Sequence, residues 1–157
     1  MESELRRYHD HLTVSGAGVI VFSFWSLIKT LVYYMRPRVL TEVLNEMGME
    51  INRIDILYVF GFILVYMSII TLLRIYVGRA AILEGRLGKK GIVYIILAVV
   101  AIGDSIWTVV GFFKGGDYVE DDILLSSLLE EIMSILITCD LLFSVWKVRM
   151  IERDLKE

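Results

Sequence analysis

The sequence predicts an all-α, polytopic membrane protein: a four-transmembrane-helix bundle with a short interfacial helix in the first outer loop. Three observations lead there. The chain of 157 residues is 57% hydrophobic, against roughly 45–50% for a soluble domain, and its mean hydropathy is +0.67. Its apolar residues gather into four runs, at 12–35, 54–77, 91–113 and 123–146. Each run reaches the length of about 20 residues that a helix needs to cross a hydrocarbon core of roughly 30 Å. All four are far too long for barrel strands. Residues 1–157 therefore read as a single integral membrane domain with the lipid bilayer as its first partner.

The first run follows Arg6 and Arg7, a charged leader of the kind that precedes a signal peptide. It exceeds the length of about 7–15 residues of a signal core, it contains Lys29, and no small-residue cleavage site follows. We read it as a retained span. His9 and His11 stand before it in what reads as a polar, solvated tail, where a His-x-His pair holds metal only weakly. After Arg36 and Pro37, the residues Val39, Leu40, Val43, Leu44 and Met47 share one helical face, and Gly48 supplies a stop. That pattern predicts the interfacial helix, with Pro37 at its start.

The second run offers Gly61, Ser68 and Thr71 and reads as a packing helix. A basic connection follows, with Arg79, Arg86, Lys89 and Lys90, and with Arg74 just inside the span. The third run holds Asp104. The loop after it, "KGGDYVEDD", is acidic but lacks the spacing of a calcium-binding EF-hand. The fourth run carries Glu130, Glu131 and Asp140, and is followed by Lys147, Arg149, Arg153 and Lys156. Placing both termini and the middle connection inside puts most basic residues on the cytoplasmic side, as the positive-inside rule demands. This charge bias suits a bacterial cytoplasmic (inner) membrane.

Several functions are disfavoured at once. A net charge of −3 offers no basic face for nucleic acid. The single Cys139 cannot form an intrachain disulfide or a cysteine metal site, and it falls on an apolar helical face. There is no Ser-His or Cys-His set and no HExxH, Walker or GxGxxG motif. The expectation is a protein that is not an enzyme, with no cofactor and no metal.

The intramembrane charges are the lead. At 100° per residue, Ser126, Ser127, Glu130, Glu131, Ser134, Thr138, Asp140 and Ser144 crowd into half of the fourth helix, opposite a face of leucine, isoleucine, phenylalanine and tryptophan. By a rise of 1.5 Å per residue, Lys29 lies about 9 Å deep, Glu130 about 10 Å and Asp104 about 14 Å from the outer side. Asp140 lies about 10 Å from the inner side, where Lys147 or Lys90 could meet it. Charged groups inside a bilayer face the bundle interior and find partners. One lysine against four carboxylates leaves an excess of negative charge, at several kcal/mol for each unpaired ion.

A proton, a cation, water or a partner chain must offset that excess, and Glu130 and Glu131 would titrate as a coupled pair. The candidate ion- or proton-binding residues are accordingly Asp104, Glu130, Glu131, Lys29 and Asp140. They suggest proton- or cation-linked transport or sensing, in a homo-oligomer because four helices line a pore poorly. The alternative is a non-catalytic accessory or scaffold subunit of a larger membrane complex, its buried charges paired with a membrane-protein partner.

Overall fold

The computed structural model describes residues 2–35, 53–88, 90–114 and 122–155. All regular structure among them is helical: α1 (Glu2–Tyr34), α2 (Arg53–Leu87), α3 (Val93–Lys114) and α4 (Asp122–Asp154). Three stretches, Ser3–Val32, Ile56–Leu87 and Val93–Gly111, are long and apolar enough to cross a membrane. The fourth expected span is present as a helix but does not qualify by composition, because Glu130, Glu131, Asp140, Lys147 and Arg149 keep interrupting its apolar run. The interfacial helix expected after Pro37 and most of the acidic loop fall outside the described residues.

Three helices overrun their expected spans. α1 begins at Glu2 rather than near Leu12, α2 continues past Val77 to Leu87, and α4 continues past Trp146 to Asp154. At 1.5 Å per residue the overhangs measure roughly 12–15 Å. The stretch read as a solvated tail and much of the stretch read as a basic connection are thus helical. Polar helix of this length is marginal alone and persists when it docks on a neighbour. α2 stops at Gly88, whose φ of 64° is the left-handed conformation that glycine adopts freely. Its N–H returns to the Glu84 carbonyl at 3.0 Å and closes the last turn.

The chain divides into two compact units, Met1–Phe22 with Leu73–Glu157, and Ser23–Leu72. The first unit is built around Leu12, Val19, Val77, Ala81, Tyr94, Ala98, Leu141 and Val145. Contacts of α1 with α2 run antiparallel, Gly16 meeting Gly78 and Thr13 meeting Gly85. α3 packs along α4. In the second unit, Leu27, Thr30 and Leu31 face Phe60, Ile63, Leu64 and Met67 across a small apolar cleft.

Burial follows the reverse of the soluble pattern. Ser15, Ser105, Glu130, Thr138 and Ser144 are buried, whereas Phe62, Trp107, Phe113, Leu125, Leu129, Leu136 and Trp146 are exposed. A soluble monomer does not present apolar surface on this scale. Within the polar half of α4, Glu130, Thr138 and Ser144 turn inward as the periodicity implied, whereas Ser126 and Asp140 of the same half are exposed, against that expectation; Leu125, Leu129, Leu136 and Trp146 of the apolar half face outward. Exposed Cys139 lies on the outward side. Lipid is as apolar as leucine, so helices in it associate through close backbone approach and hydrogen bonds.

The tightest approach is between Gly16 and Gly78. A methyl group added at Gly16 would sit 2.7 Å from the Gly78 carbonyl oxygen, and one at Gly78 would sit 2.5 Å from that of Gly16. Gly103 has open space instead. Gly16→Ala or Gly78→Ala should therefore destabilise the protein by about 1–3 kcal/mol, read by circular dichroism during reversible unfolding in mixed micelles. Gly103→Ala should leave stability unchanged or raise it by up to about 1 kcal/mol.

Candidate functional site

The densest polar constellation lies where the helix overhangs of the first unit meet. Glu84, near the end of α2, is 1% exposed. Arg149 of α4 donates from Nε to its Oε1 and from Nη2 to its Oε2, both at 2.8 Å. The Tyr94 hydroxyl donates to Oε2 at 2.7 Å and the Gly91 N–H to the same oxygen at 3.3 Å. Arg149 Nη2 also donates to the Gly91 carbonyl at 2.6 Å. A buried carboxylate is tolerable only when paired and hydrogen-bonded, and this one holds a two-pronged guanidinium with two further donors. Those hydrogen bonds to Glu84 lift the Arg149 guanidinium above its ordinary value, against the opposing effect of burial. Arg149 therefore stays charged.

Beside this knot, the His9 Nδ1 lies 2.8 Å from the Gly85 carbonyl, and the Thr13 hydroxyl donates to the His9 carbonyl at 3.0 Å. His9 Nε2 lies 3.6 Å from Glu152 Oε1, and the other oxygen of Glu152 pairs with Lys90. His9 is thus no solvated tail residue. Lys90 is committed to Glu152, and Lys147 lies over the rings of Phe143 and Trp146, at 5.9 and 5.1 Å from their centres. Neither meets Asp140.

Farther along the bundle the predicted residues separate. Glu131 lies 3.7 Å from Arg74 Nη2, and Arg74 also donates to the Ser105 hydroxyl at 3.1 Å. Arg74 thus joins α2, α3 and α4. This corrects two expectations, that the second helix is mainly a packing element and that Lys29 is the lone interior cation. Of the four acids singled out on α3 and α4, Glu130 is buried, Asp104 and Glu131 are half-buried and Asp140 is exposed, so Asp140 does not add to an interior excess of negative charge.

Asp140 accepts a hydrogen bond from the Ser15 hydroxyl on α1, and Glu130 is buried on α4. Lys29 belongs to the second unit and is half-buried. Lys29 and Glu130 each have an interaction of their own. Asp104 is half-buried and its carbonyl accepts from Thr108, but its carboxylate makes no hydrogen bond or ion pair among the described residues. Among those residues no group of three or more His, Cys, Asp or Glu side chains is placed to hold a metal ion.

Glu84, Arg149, Tyr94 and Arg74 were not among the residues that the sequence singled out. One signal for Glu84 was available, since it is the single acid within "RAAILEGRLGKK", a place where an isolated carboxylate needs a partner. Arg74 and Arg149 were read as topological charge, which conceals pairing. Comparison with known proteins identifies no relative: no family model, curated protein or solved structure matches the chain.

Removing one partner of a buried pair leaves the other uncompensated. Glu84→Ala should lower stability by about 3 kcal/mol or more in micelle unfolding. The double variant Glu84→Leu/Arg149→Met should lose less than the single one, because it leaves no buried charge behind.

Proposed function

We propose that the chain is a four-span integral membrane protein, with both ends on the cytoplasmic side of a bacterial inner membrane, whose task is proton- or cation-linked transport or sensing. The reading is carried by one geometry. Glu131 Oε2 is buried and accepts no hydrogen bond, and the Arg74 guanidinium stands 3.7 Å away, too far for one. A pair held by charge alone responds to protonation: a proton on Glu131 removes the attraction and leaves Arg74 to Ser105. Glu130, buried on the same helix, supplies a second carboxyl group. Ionisable groups within a membrane span mark proton and ion pathways in general.

A second reading rests on Asp104. Its carboxylate has no partner among the described residues, and a helix from another chain could supply one. That describes an accessory or scaffold subunit, either in a homo-oligomer or beside a different membrane protein.

The two readings part in experiment. In liposomes loaded with a pH-sensitive dye, the wild-type protein should respond to a proton or cation gradient, and Glu131→Gln should abolish the response. Equal rates for wild type, variant and protein-free vesicles dispose of the transport reading. For the second reading, purification in mild detergent should recover a stoichiometric assembly that Asp104→Asn dissociates; a wild-type monomer with nothing attached rules it out.

A further inference from the structure

We propose that His9, Glu152 and Lys90 form a pH-sensitive clasp that fastens the N-terminal end of α1 to the C-terminal end of α4 while the imidazole is protonated.

The tautomer is dictated by chemistry. A backbone carbonyl can only accept, so the 2.8 Å contact of His9 with the Gly85 oxygen requires a hydrogen on Nδ1. In the neutral ring Nε2 then carries a lone pair. It lies 3.6 Å from Glu152 Oε1, which is also an acceptor, so the neutral ring sets two lone pairs facing each other. Protonation puts a hydrogen and a positive charge on Nε2, 3.6 Å from a carboxylate oxygen. The same geometry changes from unfavourable to favourable by the gain of one proton.

The surroundings hold the ring in place for this exchange. Thr13 on α1 secures the His9 carbonyl, and Gly85 on α2 secures Nδ1. Glu84, next to Gly85, is fully engaged by Arg149 and Tyr94 and does not compete for the imidazole. Lys90, from the connection before α3, pairs with the second oxygen of Glu152 and orients that side chain. On α1 itself the flanking Asp10 is exposed, and Tyr8 packs its ring against His11 and Phe143. The side chains of His9 and Glu152 are 20% and 21% exposed, so protons from water can reach them. Acid favours the fastened form and alkali the slack one, since the fastened form binds the proton.

The test is thermal unfolding of the full-length protein in detergent micelles at about pH 5.5 and about pH 8. Wild-type Tm should be higher at the acidic value by roughly 2–4 °C, the shift expected of about 1 kcal/mol in a chain of this size. His9→Asn keeps an N–H for Gly85 but has nothing to offer Glu152, and Glu152→Gln keeps the shape without the charge. Both should abolish the difference between the two pH values, whatever they do to Tm itself. His11→Asn, on the exposed neighbour, should preserve it. A purely structural role for His9 would shift both Tm values in parallel, so retention of the wild-type pH dependence in either His9→Asn or Glu152→Gln, or its absence from the wild type, overturns the clasp.

Discussion

Glu84 has almost no access to water, and an ionised carboxylate survives there only because the Arg149 guanidinium closes on both of its oxygens. That requirement organises the polar end of the first unit. It sets the rotation of α4, whose Arg149 must point at α2. It draws in Tyr94 at the start of α3, and it folds the turn at Gly91 against the guanidinium. Two stretches distant in sequence, residues 84–94 and the end of α4, are thereby held to one point. A hydrophobic contact could not do this, since it has no direction, whereas a two-pronged charged hydrogen bond tolerates little rotation.

Away from that end, packing depends on how little side chain there is. Gly16 and Gly78 let two backbones nearly touch, and Ala81 and Ala98 line the same core. Where contacts are this close, a single hydroxyl can reach across, as Ser15 does to Asp140 and Ser105 to Arg74. Leu12, Tyr94 and Leu141 fill that core, and many other large apolar side chains, among them Phe62, Trp107 and Trp146, lie outside, where lipid rather than protein would solvate them.

The helices were legible from composition because twenty apolar residues in a row leave few other options in lipid. The inward turn of Glu130, Thr138 and Ser144 was legible as well, from angular spacing alone. The helical overhangs were not. Residues 2–11 and 78–87 are polar enough to read as tail and loop, and they are helical because His9, Gly85, Glu84 and Arg149 tie them together. Arg74 was similarly opaque: near the end of an apolar run, an arginine that snorkels to the surface and one that turns inward to a glutamate look identical in sequence.

What the sequence determined by itself is the class of the protein, helices for an apolar solvent with a polar face on the fourth, because periodicity and length act locally. What only the tertiary structure decided is which charges meet. Glu131 found Arg74 rather than an assigned lysine, Asp140 found Ser15 rather than a headgroup lysine, and Lys90 found Glu152. Charge pairing depends on the relative rotation and height of separate helices, and those are set by backbone contacts such as Gly16 with Gly78, which no single segment encodes.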